Sequence, residues 1–275
     1  MTGTSHHCGP LLTVRRVALL LFFAAGGAAV VAQTPAKNPA NLFKLPQLSR
    51  PVAVAIYQTP ESSNSGMHMI RHRIELLSGV RVTELTPAEF ATNDLSGFDI
   101  AVFGGGSGSK QAGEIGAEGR AAVRKFVDGG GGYLGICAGA YLACKGFDWG
   151  IGLLNARTVS PKWERGHARL ELELSDAGRE VFGDVRGRFG VSYHNGPVIE
   201  PLGDDALPAY EVLAWFRTEA NGKDSPHGLM VNSPAVVRAT FGKGRVITIS
   251  PHPEGTAGLE NFIPHAIAWL AQPAH

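Results

Sequence analysis

Three residues able to act together in nucleophilic catalysis stand in two short motifs far apart in the chain. The first motif is Gly135-Ile136-Cys137-Ala138-Gly139, a G-x-C-x-G run between an apolar segment and a small-residue segment. A nucleophile on a sharp strand-to-helix turn is lifted clear of its sheet, and flanking glycines let neighbouring backbone pass without a Cβ clash. A helix start behind the sulfur favours thiolate over thiol, and its free N–H groups can receive an oxyanion. The second motif is Ser250-Pro251-His252-Pro253-Glu254, at the end of another apolar run. His252 can take and return a proton near neutral pH, while Glu254 can accept the other ring N–H and fix the tautomer. Cys137, His252 and Glu254 are therefore the expected nucleophile, base and orienter. The structural alternatives are a Gly-flanked core cysteine and a Pro-bounded surface turn.

These motifs need elements to hold them. Val52–Tyr57 is a continuous apolar run, as a central parallel strand requires. Met67, Ile70, Ile74 and Leu77 then recur at helical spacing after a cap at Asn64 or Ser65, and Gly79 ends the helix. Residues 80–85 and 99–103 read as further strands, 117–128 as a helix, 133–136 as the strand leading into Cys137 and 138–143 as the helix leaving it. Strand and helix alternate, which implies βαβ units, a mostly parallel sheet and helices on both faces. The pattern changes after about residue 150. Residues 169–174 alternate strictly, and residues 235–241 and 245–250 flank Gly242-Lys243-Gly244 as a β-hairpin extending the sheet. Leu259, Phe262, Ala266 and Leu270 mark a closing helix with Pro264 in its first turn.

The 275-residue chain is 44% hydrophobic and 18% charged, with a formal net charge of +1, values ordinary for a globular protein with a core. The near-zero charge argues against a nucleic-acid partner. Arg15 and Arg16 precede an apolar stretch from Val17 to Val31, and Val30-Val31-Ala32-Gln33 suits cleavage after Ala32. Residues 1–32 thus read as a signal peptide, 33–50 as a linker and 51–272 as one domain. A periplasmic or secreted protein is expected, with no stable membrane anchor after cleavage. Cys8 leaves with the signal. Cys137 and Cys144, seven residues apart along one helix, would have Cα atoms roughly 10 Å apart, beyond the reach of a disulfide.

Other motifs carry less. Ser107-Gly108-Ser109-Lys110 lacks the spacing of a phosphate loop. His68 and His72 share a helix face but have no third ligand, so neither a metal nor another cofactor is expected.

Taken together, Gly130 to Ala143 (GGGYLGICAGAYLA), Tyr193-His194-Asn195-Gly196-Pro197 and the Gly-Arg-Val strand before Ser-Pro-His-Pro-Glu resemble the class I glutamine amidotransferase-like superfamily. Within it, they look most like the N-terminal domain of biotin–protein ligases and its stand-alone bacterial relatives. The resemblance spans roughly residues 50 to 272. It implies a flavodoxin-like sheet and a Cys-His-Glu triad. It also implies oxyanion donors at Gly105, Gly106 and Ala138, and substrate contacts at Tyr193, His194 and Asn195. The chain as read carries no synthetase and no ATP- or biotin-handling domain, so ammonia transfer and biotin ligation are not expected of it. The leading expectation is an exported cysteine-dependent hydrolase of a small amide or peptide-like ligand. The alternative is a binding module that keeps the elbow without turnover.

Overall fold

The computed structural model describes residues 37–58, 65–92, 95–224 and 226–272. Five strands form a parallel array: β1 (Val52–Tyr57), β2 (Val80–Leu85), β3 (Ile100–Phe103), β4 (Gly132–Ile136) and, from the far end of the chain, β11 (Gly244–Ile249). Four more continue the same sheet antiparallel: β10 (Pro234–Phe241), β9 (Glu211–Phe216), β6 (His167–Leu174) and β7 (Arg188–His194). The full order is β2-β1-β3-β4-β11-β10-β9-β6-β7, and β5 (Ala156–Thr158) pairs separately with β8 (Ile199–Pro201). The expected α/β class, flavodoxin-like parallel sheet and C-terminal hairpin are all present. The antiparallel extension is wider than that hairpin alone.

Burial explains why these strands read as unbroken apolar runs. Side chains alternate between faces along a strand. Val54, Ile56, Val102, Leu134 and Ile247 enter one core, with α1 (Ser65–Ile74) and α6 (Phe262–Leu270). Ala55, Tyr57, Phe103, Tyr133 and Val246 enter the other, with α2 (Pro87–Thr92) and α3 (Gly108–Asp128). A strand covered on both faces has no polar side to show. Helix α3 begins earlier than residue 117. Ser107 caps it, and Gly116, at φ 66°, joins two helical segments. The expected helix is the second of these, because the glycines of the first hide its period. Two short helices were not anticipated. Helix α2 is opened by a Thr86–Glu89 capping box, and α5 (Asp176–Phe182) by Ser175 accepting from Gly178 N–H.

The described part of the expected linker, residues 37–50, packs on the domain instead. Phe43 is 1% exposed and meets Phe189 and Phe262 edge-on at centroid distances of 5.5 and 5.2 Å. Asn38 exchanges hydrogen bonds with Gly190, and Asn261 Nδ2 donates to the Phe43 carbonyl. A Pro- and Asn-rich composition suggests a linker, but one buried aromatic overrides it. Replacing Phe43 with alanine is expected to cost about 3–5 kcal/mol, as for other buried phenylalanines. Urea denaturation of the variant measures this, and a loss below about 1 kcal/mol would return the segment to linker status.

Candidate functional site

Strands β4 and β11 are neighbours in parallel register, with Ile136 opposite Ile249. Their carboxyl ends therefore emerge side by side, where open α/β sheets bind ligands. The Cys137 N–H donates to the Ile249 carbonyl at 2.8 Å, carrying the pairing into the turn. Cys137 then adopts φ 52°, ψ −99°, a conformation a non-glycine residue rarely holds, and α4 (Ala138–Ala143) starts behind it. The two flanking glycines are sterically required. A Cβ at Gly139 would overlap the Phe103 carbonyl, and one at Gly135 would overlap the Gly139 carbonyl. Gly139 N–H donates to the Gly104 carbonyl and Tyr133 donates its hydroxyl to the Gly139 carbonyl, pinning the elbow against β3 and β4.

Past β11 the chain turns at His252. Its N–H donates to the Ser192 carbonyl on β7, and Thr256 bridges the two segments through its hydroxyl. Glu254 sits in a 3₁₀ turn, 2% exposed, with Oε1 2.6 Å from His252 Nδ1. That bond assigns the Nδ1 proton to the carboxylate side and leaves Nε2 for chemistry. Nε2 is buried without a hydrogen-bond partner among the described residues, and besides Glu254 the His252 side chain interacts with Cys137. Burial alone would lower the His252 pKa. Hydrogen bonding and charge interaction with Cys137 and Glu254 outweigh it and raise the value from 6.5 to about 10. The Cys137 S–H also reaches the His194 carbonyl at 3.5 Å. Cys144 differs: it is fully buried, pushed up to about 12 by burial alone, and donates to the Ala140 carbonyl. Both thiols are free.

These groups open onto a cavity of about 850 Å³. Gly105 and Gly106 line it beside Cys137, and His252 lies against Gly105 so closely that an added Cβ would come within 3.1 Å of its Cε1. Ala138 is buried. Its N–H belongs to the first turn of α4, where a helix leaves N–H groups without internal acceptors.

Two expectations need correction. Tyr193 does not face the cavity. It is fully buried and its hydroxyl donates to the Gly196 carbonyl. Neighbours on a strand point to opposite faces, so Ser192 and His194 line the cavity while Tyr193 does not. Asn195 is at the wall, but its side chain is already engaged: Oδ1 accepts from Gly166 N–H at 2.7 Å, and Nδ2 meets His167 Nε2 at 3.1 Å. It braces the loop rather than offering a free amide. Trp163 lines the mouth at 60% exposure, whereas Arg165, two residues on, is fully buried. His68 and His72 lie on the exposed face of α1.

His167 gave no sequence signal. It stacks on His194 at 4.9 Å, and His194 in turn lies 5.2 Å from His252. Partial burial and the two neighbouring histidines lower the His194 pKa. The rings stack rather than converge, and among the described residues no group of three His, Cys, Asp or Glu could hold a metal ion.

The raised His252 value has a sign. The folded state holds this proton more tightly than the unfolded chain does. The resulting stability is complete below pH 6.5 and is lost as pH rises through about 10. Unfolding free energy measured by urea across that window should fall with a slope of up to about one proton, and His252→Gln should flatten it. Parallel curves for the two proteins would contradict an imidazolium at this position.

Residues 53–162 match the family model described as biotin-protein ligase, N terminal. The match runs from β1 through the elbow to β5 and ends before β6 and the His252 segment. No curated protein sequence matches the chain. Among solved structures, a protein described as a GMP synthase subunit from Thermoplasma acidophilum aligns at TM-score 0.51 and 16% identity, over 80% of this chain and 95% of that one. A cytoplasmic protein from Salmonella typhimurium aligns at TM-score 0.51 and 12% identity, over 80% and 99%. A β-galactosidase from Bacillus circulans sp. alkalophilus aligns at 0.51 and 14%, but this chain spans only 31% of its length. At such identities the likeness is one of fold.

Proposed function

From a glutamine amidotransferase-like domain whose residues 53–162 match the biotin–protein ligase N-terminal family, we propose an exported cysteine-dependent amide hydrolase using Cys137, His252 and Glu254. One observation carries the reading: a buried carboxylate holds His252 Nδ1 at 2.6 Å while Nε2 is left without a hydrogen-bond partner beside a strained, cavity-facing cysteine. Burying a carboxylate is expensive unless it is paired. A pairing that also aims a base at a thiol is the arrangement nucleophilic catalysis needs.

In the proposed reaction the one proton of the Cys137–His252 pair is held on His252 Nε2, the Cys137 sulfur attacks the amide carbon with its freed electron pair, and the carbonyl pair moves to oxygen. Backbone N–H groups at Gly106 and Ala138 receive that charge. The C–N bond then breaks as His252 Nε2 gives its proton to the departing amine. Water attacks the thioester, its proton passes to His252, and the carboxylic acid leaves as sulfur regains its electron pair. No step calls on a cofactor.

The test is hydrolysis of amide and ester reporters by wild type, Cys137→Ala, His252→Ala, Glu254→Gln and the Cys137/His252 double variant. Each of the first two changes should remove roughly two to four decades of rate, with the double change costing little more, since the residues act as one unit. Glu254→Gln should be milder, because an amide orients the ring without stabilising its cation. A His252→Ala variant as active as wild type would sink the triad. Saturable binding with no turnover would favour the binding-module reading.

Export rests on the Arg15-Arg16 pair, the apolar stretch and Val30-Val31-Ala32-Gln33, all outside the described residues. The domain suits an oxidising compartment in one respect: Cys144 is fully buried and held as a thiol, and so protected from oxidation. N-terminal sequencing of protein from the periplasm or medium should begin at Gln33, and an intact Met1 on all recovered protein would overturn cleavage.

A further inference from the structure

The cavity in front of Cys137 has far more room than an amide carbonyl needs, and one wall is aromatic. Phe147 and Trp149 stack at 4.4 Å with their planes 21° apart, and Tyr141 leans on Phe147 at 6.1 Å. This shelf is close to the nucleophile. A Cβ placed on Gly108 would lie 2.9 Å from the Ala138 carbonyl and 3.2 Å from Cη2 of Trp149, so the indole edge and the residue after Cys137 flank the same glycine. At the mouth, Trp163 holds a large apolar ring 60% in water. An exposed tryptophan on a cavity rim gains most when a ligand covers it.

Charge points the same way. No Lys, Arg or Asp side chain lines the cavity among the described residues, and its one carboxylate, Glu254, is bound to His252. Arg165 lies beside Tyr141, off the cavity wall, and donates to the Ser160 carbonyl. A free amino acid entering here would have to desolvate an ammonium and a carboxylate, with the one cation at the wall, His252, already bound to Glu254 and no carboxylate free to meet the ammonium. A flat neutral ring would instead slide against stacked aromatics at little desolvation cost.

We propose that the Tyr141–Phe147–Trp149 shelf and Trp163 form a subsite for the aromatic part of an uncharged amide, and that the cavity selects against free glutamine and similar zwitterions. This deepens, and rests on, the reading of Cys137 as nucleophile of an amide hydrolase. The substrate class is an N-aryl-alkyl or aromatic-acyl amide, its carbonyl at Cys137 and its ring on the shelf.

Two chloroacetamides with the same reactive carbon test it: N-phenethyl chloroacetamide and the chloroacetyl amide of β-alanine, which ends in a carboxylate. In each, the Cys137 sulfur forms a bond to the CH₂ carbon with its electron pair, chloride leaves with the C–Cl pair, and the one proton of the Cys137–His252 pair ends on His252. Labelling is followed by intact mass, mapped to Cys137 by peptide mass, and normalised to each probe's rate with glutathione. The phenethyl probe should label about tenfold faster, the scale expected when one aromatic ring is stacked and buried. Trp163→Ala, and separately Trp149→Ala with its fold checked by circular dichroism, should each bring the ratio toward one. A ratio near one in wild type, or one unchanged in both variants, overturns the subsite. If neither probe labels Cys137, the nucleophile reading fails, and the subsite is judged by itself. N-Phenethylacetamide titrated into Cys137→Ala should then quench tryptophan fluorescence saturably, and lose that response on adding Trp163→Ala. No saturable quench in Cys137→Ala overturns it.

Discussion

The parallel pairing of β4 with β11 is the constraint on which the site depends. Residues 132–136 and 245–249 are more than a hundred positions apart, and their ladder alone brings Cys137 alongside the segment carrying His252. The ladder does not stop at the strand ends. The bond from Cys137 N–H to the Ile249 carbonyl extends it one residue, so the nucleophile's own backbone is fixed by the strand that delivers its base. A shift of one residue in this register would turn His252 to the opposite face, because side chains alternate along a strand.

Two local tensions are held in place by this frame. Cys137 keeps a positive φ because β3, β4 and α4 close around glycines on either side and leave the backbone no other path. Glu254 stays buried because His252 Nδ1 binds it at 2.6 Å, and the His252 side chain also interacts with Cys137. The three side chains are energetically coupled in the folded state, whatever the ligand. Removing one leaves another buried and unpaired, which in a low-dielectric setting is the costly outcome.

The antiparallel half and the N-terminal segment supply the remaining wall. β6 and β7 carry His167, Ser192 and His194 to the cavity, and the bridge from Ser192 to His252 ties that wall to the base. Asn38 binds Gly190 on the same β7, so residues ahead of the first strand help to hold the strand that faces the nucleophile. The elbow is thus supported from β3 and β4 behind and from β7 in front.

The alternating strands and helices of the first half were legible in the sequence because their signals are local: apolar runs, helical spacing, and glycines at forced turns. The G-x-C-x-G turn and the H-P-E run were legible for the same reason, as each is defined within five residues. The capping box of α2, Thr86-Pro87-Ala88-Glu89, and the N-cap Ser175 of α5 were present but were overshadowed by weak apolar period. What tertiary structure decided is which way side chains face and what surrounds them. Tyr193 went to the core because β7 is pinned by β6 and His252, which no window around residue 193 could show. Phe43 became core because aromatics from three distant elements meet it, and Phe147, Trp149 and Trp163 share one cavity because separate loops fold to the same sheet edge. Sequence determines the chemistry a residue can do through its type and its immediate backbone. Partners, orientation and solvent exclusion arise only when segments remote in the chain are packed against each other.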